Sequence, residues 1–363
     1  MLEVRKLTEL HRRFKDVLVL SVYIDGGETD PAERTAWRRA LQRETQRAAH
    51  ALEGRPSAER EAFGRALETL EHEIEGHEGF LPSAGWVGFI TEDGVQHSES
   101  LPIPVPTVVA WQRGALLTPY LRVLTLDYPA AVVLCDHRRA RLFARKGGQW
   151  TEGPELEVDR TLEDFSDVNM MKSAHVSSGV RGATARDAAR RSLLAESQQL
   201  VRNAVEAVVE LTGHQGAVII GGPPDVTSAL RSGLPDPLPA HTIIAPGLDL
   251  QRTVSEVSRE IVPLVDEIRD REQGDILNAI IDSAHPGGKG TLGVENTRLA
   301  LDQGAVDVLL VCRRLADEER ATVESLVGAA LLHGGDVQEL TGAAGDRLDT
   351  EGGVGARLRF PVL

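Results

Sequence analysis

The chain has 363 residues, a formal net charge of −15, and a globular balance of 41% hydrophobic and 26% charged residues. This length allows two or three domains, and the acidic balance argues against general coating of nucleic acid while leaving room for one local basic surface. No apolar run is long enough to cross a bilayer and the N-terminus lacks a signal-peptide core, so we expect a cytoplasmic protein without membrane contact. The two cysteines, Cys135 and Cys312, lie in apolar runs, which predicts buried thiols and excludes a cysteine-based zinc site.

The first third of the chain, residues 1–122, is predicted to form an α/β unit. The β-branched run VLVLSVYID at 17–25 indicates a buried strand, and GWVGFIT at 85–91 indicates a second. Between them, apolar residues at helical spacing predict helices over 31–53 and 57–77. An alternation of strands and helices is therefore expected from the start of the chain.

The first of these helices carries a row of arginines. Its apolar residues share one face, and Arg39, Arg43 and Arg47 follow one another on the other side. A solvated helix face is the favoured interpretation, and a stripe that follows phosphates is the alternative.

Residues 123–246 are predicted to form a second α/β unit. The segments 129–136 and 139–146 indicate paired strands, and the Gly-Gly-Gln at 147–149 lies where a hairpin turn between strands belongs. A further strand is expected at 216–222, followed by a helix with proline in its first turn.

Residues 247–363 are predicted to form a third α/β unit. Its expected elements, in chain order, are a helix from about 249 to 283, a helix at 291–305, a strand at 306–312, an amphipathic helix at 316–334, a strand at 336–340 and a final segment at 348–363 that alternates like an edge strand.

The segment 172–211 is the most unusual part of the chain. A small-residue loop, 173–183, leads into a long helix for which Thr184 is a suitable N-cap. The second half of that helix has apolar residues at helical spacing that predict packing on a core, namely Leu194, Val201, Val205, Val208 and Leu211. The first half has only alanines as apolar residues, so we expect it to project beyond its domain.

Charge separates this segment from the one before it. Between Lys172 and Arg202 there are six basic and two acidic residues, whereas residues 151–171 contain seven acidic residues and one basic residue. A polyanion would be attracted to the first segment and repelled by the second. A solvated helix after a mobile loop is the alternative interpretation.

Other motifs carry less information. HPGGKGTL at 285–292 departs from the Walker pattern because a glycine separates Lys289 from Thr291, and a loop between helices is expected there. The histidines are scattered, with no metal-ligand spacing and no Ser/His/Asp order, so we predict neither a metal nor a cofactor. His175 is kept as a candidate because it lies in the small-residue loop.

Two stretches, GTLGVENTRLALDQGAVDVLLV at 290–311 and ELTGAAGDRLDTEGGVGARLRFPV at 339–362, resemble signatures of the C-terminal domain of archaeal and eukaryotic class I release factors and Pelota. VVLCDHRRARLF and the loop with its Arg-rich helix are similar to the middle domain of that family. The resemblance covers roughly residues 125–363. It implies a release-factor/Pelota-like architecture: α/β, in three domains at 1–122, 123–246 and 247–363, each a mixed sheet with packed helices.

One departure from the family matters for function. In hydrolytic members a Gly-Gly-Gln directly precedes the long helix, whereas this chain has Arg181, Gly182 and Ala183 there. Ala183 thus occupies the apparent place of the catalytic glutamine. The Gly-Gly-Gln that ends at Gln149 comes about one hairpin too early.

The resemblance implies a ribosome-binding translation factor that occupies the A site of idle or stalled ribosomes without catalysis, as Balon-like bacterial members do together with elongation factor Tu. The implied partners are rRNA near the A site and the peptidyl-transferase centre, and a translational GTPase. The alternatives are a peptidyl-tRNA hydrolase that uses His175 or Gln149, and an RNA-binding adaptor that acts off the ribosome.

We predict no catalytic residues for the favoured function. The predicted ribosome-binding residues combine arginines for phosphate with small residues that allow close approach of RNA. They are Lys172, His175, Ser177, Ser178, Gly179, Arg181, Gly182, Ala183, Arg186, Arg190 and Arg191.

Overall fold

The computed structural model describes residues 4–28, 30–76, 79, 81, 83–146, 148–157, 181–212 and 216–362. Over these residues the chain forms three β-sheets and eleven α-helices, which confirms the predicted α/β class with packed helices. Two of the three sheets are mixed as predicted, whereas the first is antiparallel. The chain divides into two compact units, one made of Met1–Asp127 with Asp270–Leu363 and one made of Tyr128–Arg269. Each of the three predicted ranges contains one sheet, while the bounds of three separate domains stay a prediction.

The first sheet is antiparallel throughout, with the order β3-β2-β1-β4. Its strands are β1 (Leu18–Asp25), β2 (Gly85–Thr91), β3 (Gly94–Leu101) and β4 (Val108–Arg113). The helices of this part are α1 (Val4–Phe14), α2 (Ala36–Ala51), α3 (Ser57–Ile74) and α4 (Thr118–Leu126). Trp37 and Leu41 of α2 and Phe63 of α3 are buried in the same hydrophobic cluster as β1 residues, so the apolar faces predicted for these helices do pack on the sheet.

The third part of the chain builds the other sheet of the same unit, with the order β11-β14-β12-β13. Its strands are β11 (Gly290–Leu292), β12 (Val306–Cys312), β13 (Asp336–Leu340) and β14 (Val354–Leu358). Its helices are α8 (Val294–Asp302), α9 (Arg313–Glu318), α10 (Arg320–Leu332) and α11 (Gly342–Thr350).

Several expectations for this part were wrong. The final strand β14 is not an edge strand, because it is hydrogen-bonded to β11 on one side and to β12 on the other. The helix expected at 291–305 begins only at Val294, since Gly290–Leu292 form β11 and Gly293, with φ of +79°, breaks the chain direction. For the same reason HPGGKGTL is not only a loop between helices: its end is a strand.

The amphipathic helix expected at 316–334 is two helices. Glu319 has φ −116° and ψ 48°, outside the helical region, and separates α9 from α10. Helix α9 starts earlier than predicted because the Cys312 sulfur, Sγ, accepts from Leu315 N at 3.4 Å and so caps it. Cys312 is buried, as predicted.

Helix α4 is attached to the third part of the chain by charged contacts that we call the α4 anchor. Arg122 donates from Nε to Glu339 at 2.8 Å and from Nη2 to Asp317 at 2.9 Å, and Glu324 accepts from Leu117 N at 3.0 Å and Thr118 N at 2.6 Å. The Arg122 and Glu339 side chains are 9% and 0% exposed. The Arg122–Glu339 pair of the anchor is therefore buried, while the Asp317 side chain lies at the surface with 56% exposure.

The second unit has one sheet, with the order β10-β9-β5-β6-β7 and β8 also paired to β6. Strands β10, β9 and β5 are parallel, and β5, β6 and β7 are antiparallel. The strands are β5 (Ala130–Cys135), β6 (Arg139–Lys146), β7 (Gln149–Glu152), β8 (Leu156–Glu157), β9 (Ala217–Gly221) and β10 (Thr242–Ile244). The helices are α5 (Arg181–Thr212), α6 (Pro224–Gly233) and the first part of α7 (Val254–Ser283).

Each face of this sheet has its own core. Buried residues of α5 and α6 pack with Val133 and Leu142 on one face, and residues of α7 up to Ile268 pack with Val132 and Phe143 on the other. Alternate residues of β5 thus serve opposite layers, as expected for a strand that is buried on both sides. Nowhere in the described residues is there a helix long and apolar enough to span a membrane.

Helix α7 begins five residues later than predicted from periodicity. Thr253 and Glu256 form a capping box, in which Glu256 accepts from Thr253 N at 2.9 Å and Thr253 Oγ1 accepts from Glu256 N at 3.4 Å. Asp249 instead makes a local turn by accepting from Gln251 N.

Candidate functional site

The predicted ribosome-binding residues divide into two groups in the structure. Arg181, Gly182, Ala183, Arg186, Arg190 and Arg191 lie in the first three turns of α5. The remaining predicted residues, Lys172, His175, Ser177, Ser178 and Gly179, lie outside the described residues. The structure therefore brings the six helix positions together on one continuous element.

The predicted start of the long helix was wrong. Thr184 is not its N-cap, because residues 181–183 are already helical and Thr184 lies within the first turn. Alanine and arginine are strong helix formers, and a single glycine costs only about 1 kcal/mol in a helix. Ala183, which the resemblance predicts to stand in the place of the glutamine, is thus part of the helix.

The second half of α5 holds the helix on the sheet. Leu200, Ala204 and Val208 follow one another at four-residue spacing and are at most 1% exposed. Thr212 is buried too, and its hydroxyl donates to Val208 O at 2.8 Å. This face, which shares Val208 with the predicted one, is the centre of the contact with the core.

The predicted apolar face is turned partly toward α6. Val201 and Val205 are partly buried, and a Cβ added at Gly233 of α6 would lie 3.2 Å from Val205 Cγ2, so α5 and α6 pack closely at this glycine. Val208 is buried as predicted, but Leu211 is 38% exposed and does not belong to the core. Leu194 lies in the part of α5 whose side chains fall outside the described structure.

The Gly-Gly-Gln segment joins two antiparallel strands, as predicted. Lys146 of β6 pairs with Gln149 of β7, so the two strands form a β-hairpin, and Gly148 between them has φ of +71°. Gln149 is exposed as the first residue of β7. It therefore lies on a β-hairpin and not at the start of a helix.

Polar residues gather at the carboxyl ends of β5 and β9. His137 Nε2 lies 2.9 Å from Asp225 Oδ2, and the hydrogen bond with His137 lowers the pKa of Asp225. Asp136 accepts from the backbone N–H groups of Arg138 and Arg139 and so fixes the turn between β5 and β6. This edge is the usual ligand position in sheets with parallel strands.

The chemistry available at this edge is limited. Cys135 is buried as predicted; burial first, and then the charges of Asp136 and Asp225, raise the pKa of its thiol to about 12. The thiol is therefore protonated at neutral pH and is not a nucleophile. Within the described ranges, no group of three or more His, Cys, Asp or Glu residues is placed to hold a metal ion.

Two arginines with structural roles were not foreseen from the sequence. Arg141 on β6 donates to Glu152 at 2.6 Å and to the carbonyl oxygens of Leu250 and Arg252. Arg122 of the α4 anchor is the other. The sequence did contain one indication of this role. Arg122 is the single charged residue in the mainly apolar helix TPYLRVLTL, and a charged residue that is buried needs hydrogen-bonding partners.

Comparison with known proteins gives the following relations. Residues 116–263 match the family model described as bacterial archaeo-eukaryotic release factor family 10. The protein pelota homolog of Methanocella arvoryzae is 30% identical over 112 residues, which cover 27% of this chain and 29% of that protein. The match thus spans less than a third of that relative's length.

Solved structures of Pelota and Dom34 are also similar to this chain. Pelota of Archaeoglobus fulgidus has a TM-score of 0.36 at 18% identity, over 76% of this chain and 80% of that one. Dom34 of S. cerevisiae, a translation termination-like factor that interacts with Hbs1, has a TM-score of 0.47 at 12% identity, over 77% and 81%. Ribosome-bound archaeal Pelota, described together with ABCE1, has a TM-score of 0.45 at 16% identity, over 74% and 72%.

Proposed function

We propose that this chain, whose residues 116–263 match the family model described as bacterial archaeo-eukaryotic release factor family 10, binds ribosomes whose A site is idle or stalled. The observation that supports the proposal most strongly is the difference between the two halves of α5. The C-terminal half of this helix packs on the sheet through Leu200, Ala204 and Val208. The N-terminal half is rich in arginine in the sequence.

Electrostatics supports RNA as the partner of that helix. The whole chain has a net charge of −15, so it gains little from nonspecific contact with a polyanion. Arg181, Arg186, Arg190 and Arg191 lie in three consecutive turns of α5, with Asp187 as the one acidic residue among them. Such a local basic element neutralises several rRNA phosphates while the remaining surface discourages other contacts.

The proposal includes no peptide release. Ala183 has a methyl group and offers no side-chain hydrogen bond to a water molecule, and Gln149 is on a hairpin rather than at the start of α5. Release of labelled peptide from ribosomes with an empty A site is expected to stay at the spontaneous rate. Release above that rate, lost in Gln149→Ala or His175→Ala, would instead support the hydrolase.

The experiment that tests the binding proposal is co-sedimentation with ribosomes from growing and from starved cells over a salt series. Replacing Arg186, Arg190 and Arg191 together by alanine removes up to three phosphate contacts, each of which contributes about 0.7–0.9 to the slope of log K against log salt. We expect weaker binding with a flatter salt dependence. Unchanged sedimentation of the triple variant at every salt concentration would contradict the role of α5.

A GTPase partner is the second part of the proposal. We carry over the partner that the family resemblance implies, a translational GTPase such as elongation factor Tu. Recovery of the GTPase with the ribosome complex, and its loss when the ribosome is omitted, is the expected result. If the GTPase does not bind the ribosome complex and does not change ribosome binding by the protein, the proposed GTPase partner is wrong, while the proposed ribosome binding still stands.

A further inference from the structure

The outer face of α2 is a row of cations on an acidic protein. Arg39, Arg43 and Arg47 follow at intervals of four residues, which places successive positions about 6 Å apart along the helix axis. All three are exposed, and the Arg39 and Arg47 side chains are 67% and 75% exposed. Trp37 and Leu41 hold the opposite face of the helix against the first sheet.

Exposed polar side chains lie beside the arginines on this outer face. Gln42, Gln46 and His50 share it with the arginines at helical spacing, and all three are exposed. Glu44 is the single carboxylate within α2, and it lies toward the side of the helix, where it is half-buried. A partner that approaches the outer face therefore meets donors and cations, with Glu33 beside Arg39 and Glu53 beside His50 as the neighbouring carboxylates.

The ion pairs of these arginines are weak enough to be exchanged. Arg39 pairs with Glu33, and Arg47 pairs with Glu44 at 2.6 Å, three residues away on the same helix. Exposed pairs of this kind contribute little to stability because water screens them and both side chains lose freedom. Arg43 takes part in no ion pair or side-chain hydrogen bond with any residue that the structure describes.

We propose that Arg39, Arg43 and Arg47 on the outer face of α2 bind the phosphate backbone of a structured RNA. A regular row of guanidinium groups suits a regularly charged strand, and the amides of Gln42 and Gln46 provide hydrogen bonds for phosphate and ribose oxygens. An anionic membrane fits less well, since the exposed apolar residues of α2 are alanines and no large side chain is available for insertion.

This surface is separate from the site of the proposed function. It lies in the unit that contains Met1–Asp127, whereas α5 lies in the unit formed by Tyr128–Arg269. The inference therefore does not depend on the arginines of α5, and each set can be removed while the other stays.

The test is binding of the full chain to a fluorescently labelled RNA stem-loop, measured by anisotropy over a NaCl series. Arg39→Gln, Arg43→Gln and Arg47→Gln together are expected to reduce the slope of log K against log salt by about 2–3, because each duplex phosphate contact contributes about 0.9. The triple lysine variant keeps the three charges and is expected to keep most of the slope. A matched control, Arg12→Gln, Arg60→Gln and Arg298→Gln, changes net charge equally at three exposed positions on separate helices and is expected to change the slope little.

Three results would overturn the inference: no stem-loop binding by the unchanged protein, an equal loss in the matched control, or binding to anionic vesicles that depends on the same three arginines while RNA binding does not. Failure of the proposed function looks different. In that case the protein does not sediment with ribosomes, while stem-loop binding still depends on the arginines of α2.

Discussion

Arginine serves two different purposes within one unit of this protein, and Arg122 and the row on α2 show the contrast. Arg122 is 9% exposed and is held between Glu339 and Asp317, so its charge is used inside the fold. Arg43, on the outer face of α2, is exposed and its charge is available to a partner. The same side chain is thus a structural element in α4 and a candidate binding element in α2.

The difference comes from the cost of moving a charge out of water. A buried guanidinium must keep its carboxylates, because loss of one partner leaves an uncompensated charge in a poorly solvated place. An exposed guanidinium keeps its hydration and can exchange one anion for another. Stability measurements should therefore respond to the α4 anchor, and binding measurements to α2 and α5.

The largest expected effect is at the centre of the anchor. Arg122→Met leaves Glu339 buried without its main partner and should lower the free energy of unfolding by about 3–5 kcal/mol. Urea unfolding followed by circular dichroism measures this loss. The double variant with Glu339→Leu removes both charges and should recover most of it; a double variant as unstable as Arg122→Met would show that packing, rather than charge, is the contribution of Arg122.

A smaller effect is expected at the start of α4. Glu324→Ala removes the acceptor for Leu117 N and Thr118 N, and loss of such a cap costs about 0.5–2 kcal/mol. Thermal unfolding should show the decrease, with Glu324→Gln retaining part of the stability through its amide oxygen. Equal melting of the alanine variant and the unchanged protein would contradict the capping role.

The contact of α1 with β3 predicts a dependence on pH. Glu99 accepts from Lys6 at 2.5 Å and from Tyr120 at 2.6 Å. Burial opposes ionisation of Glu99, but His97, Lys6 and Tyr120 outweigh it and lower its pKa from 4.5 to about 2. Its folded pKa is below its unfolded one, so its stabilisation is complete above pH 4.5 and is lost as the pH falls to about 2.

Glu99→Gln should remove this part of the acid sensitivity. The variant is expected to be less stable than the unchanged protein at neutral pH, and the gap is expected to narrow as the pH falls through the same window. Urea unfolding at a series of pH values measures the gap. A constant gap from neutral pH to about pH 2 would mean that ionisation of Glu99 does not contribute.

The smallest expected effect is at the hairpin. Gln149→Ala replaces an exposed residue at a strand end and should change the free energy of unfolding by less than about 0.5 kcal/mol. Ribosome co-sedimentation should also be unchanged. A large loss of binding would assign Gln149 to the interface and weaken the contrast with α5.

Periodicity and β-branched runs predicted the elements that are long and apolar. The strands at Leu18–Asp25 and Val306–Cys312 and the buried face of α2 followed from side chains whose own chemistry favours those positions. β11 was missed because three residues carry no period, and the interior place of β14 depends on that pairing. The pairing of strands that are far apart in the chain cannot be predicted from the local sequence of either strand.

The candidate site was predicted in the same uneven way. The presence of a long helix with an arginine-rich first half followed from composition, and the structure describes that helix from Arg181. Its buried face was predicted only in part: Val208 was foreseen, whereas Ala204 and Thr212 are small or polar residues that a search for large apolar side chains passes over. The partners of Arg122 could not be predicted, since Asp317 and Glu339 are far from it in sequence.

The central claim is that the protein occupies a vacant A site, and competition with tRNA tests it most directly. Labelled protein is added to purified ribosomes whose A site is either empty or filled with tRNA, and the bound fraction is measured by sedimentation. The account predicts binding to empty ribosomes and exclusion by A-site tRNA, with weaker binding when Arg186, Arg190 and Arg191 are replaced by alanine. Equal binding to both kinds of ribosome would contradict it.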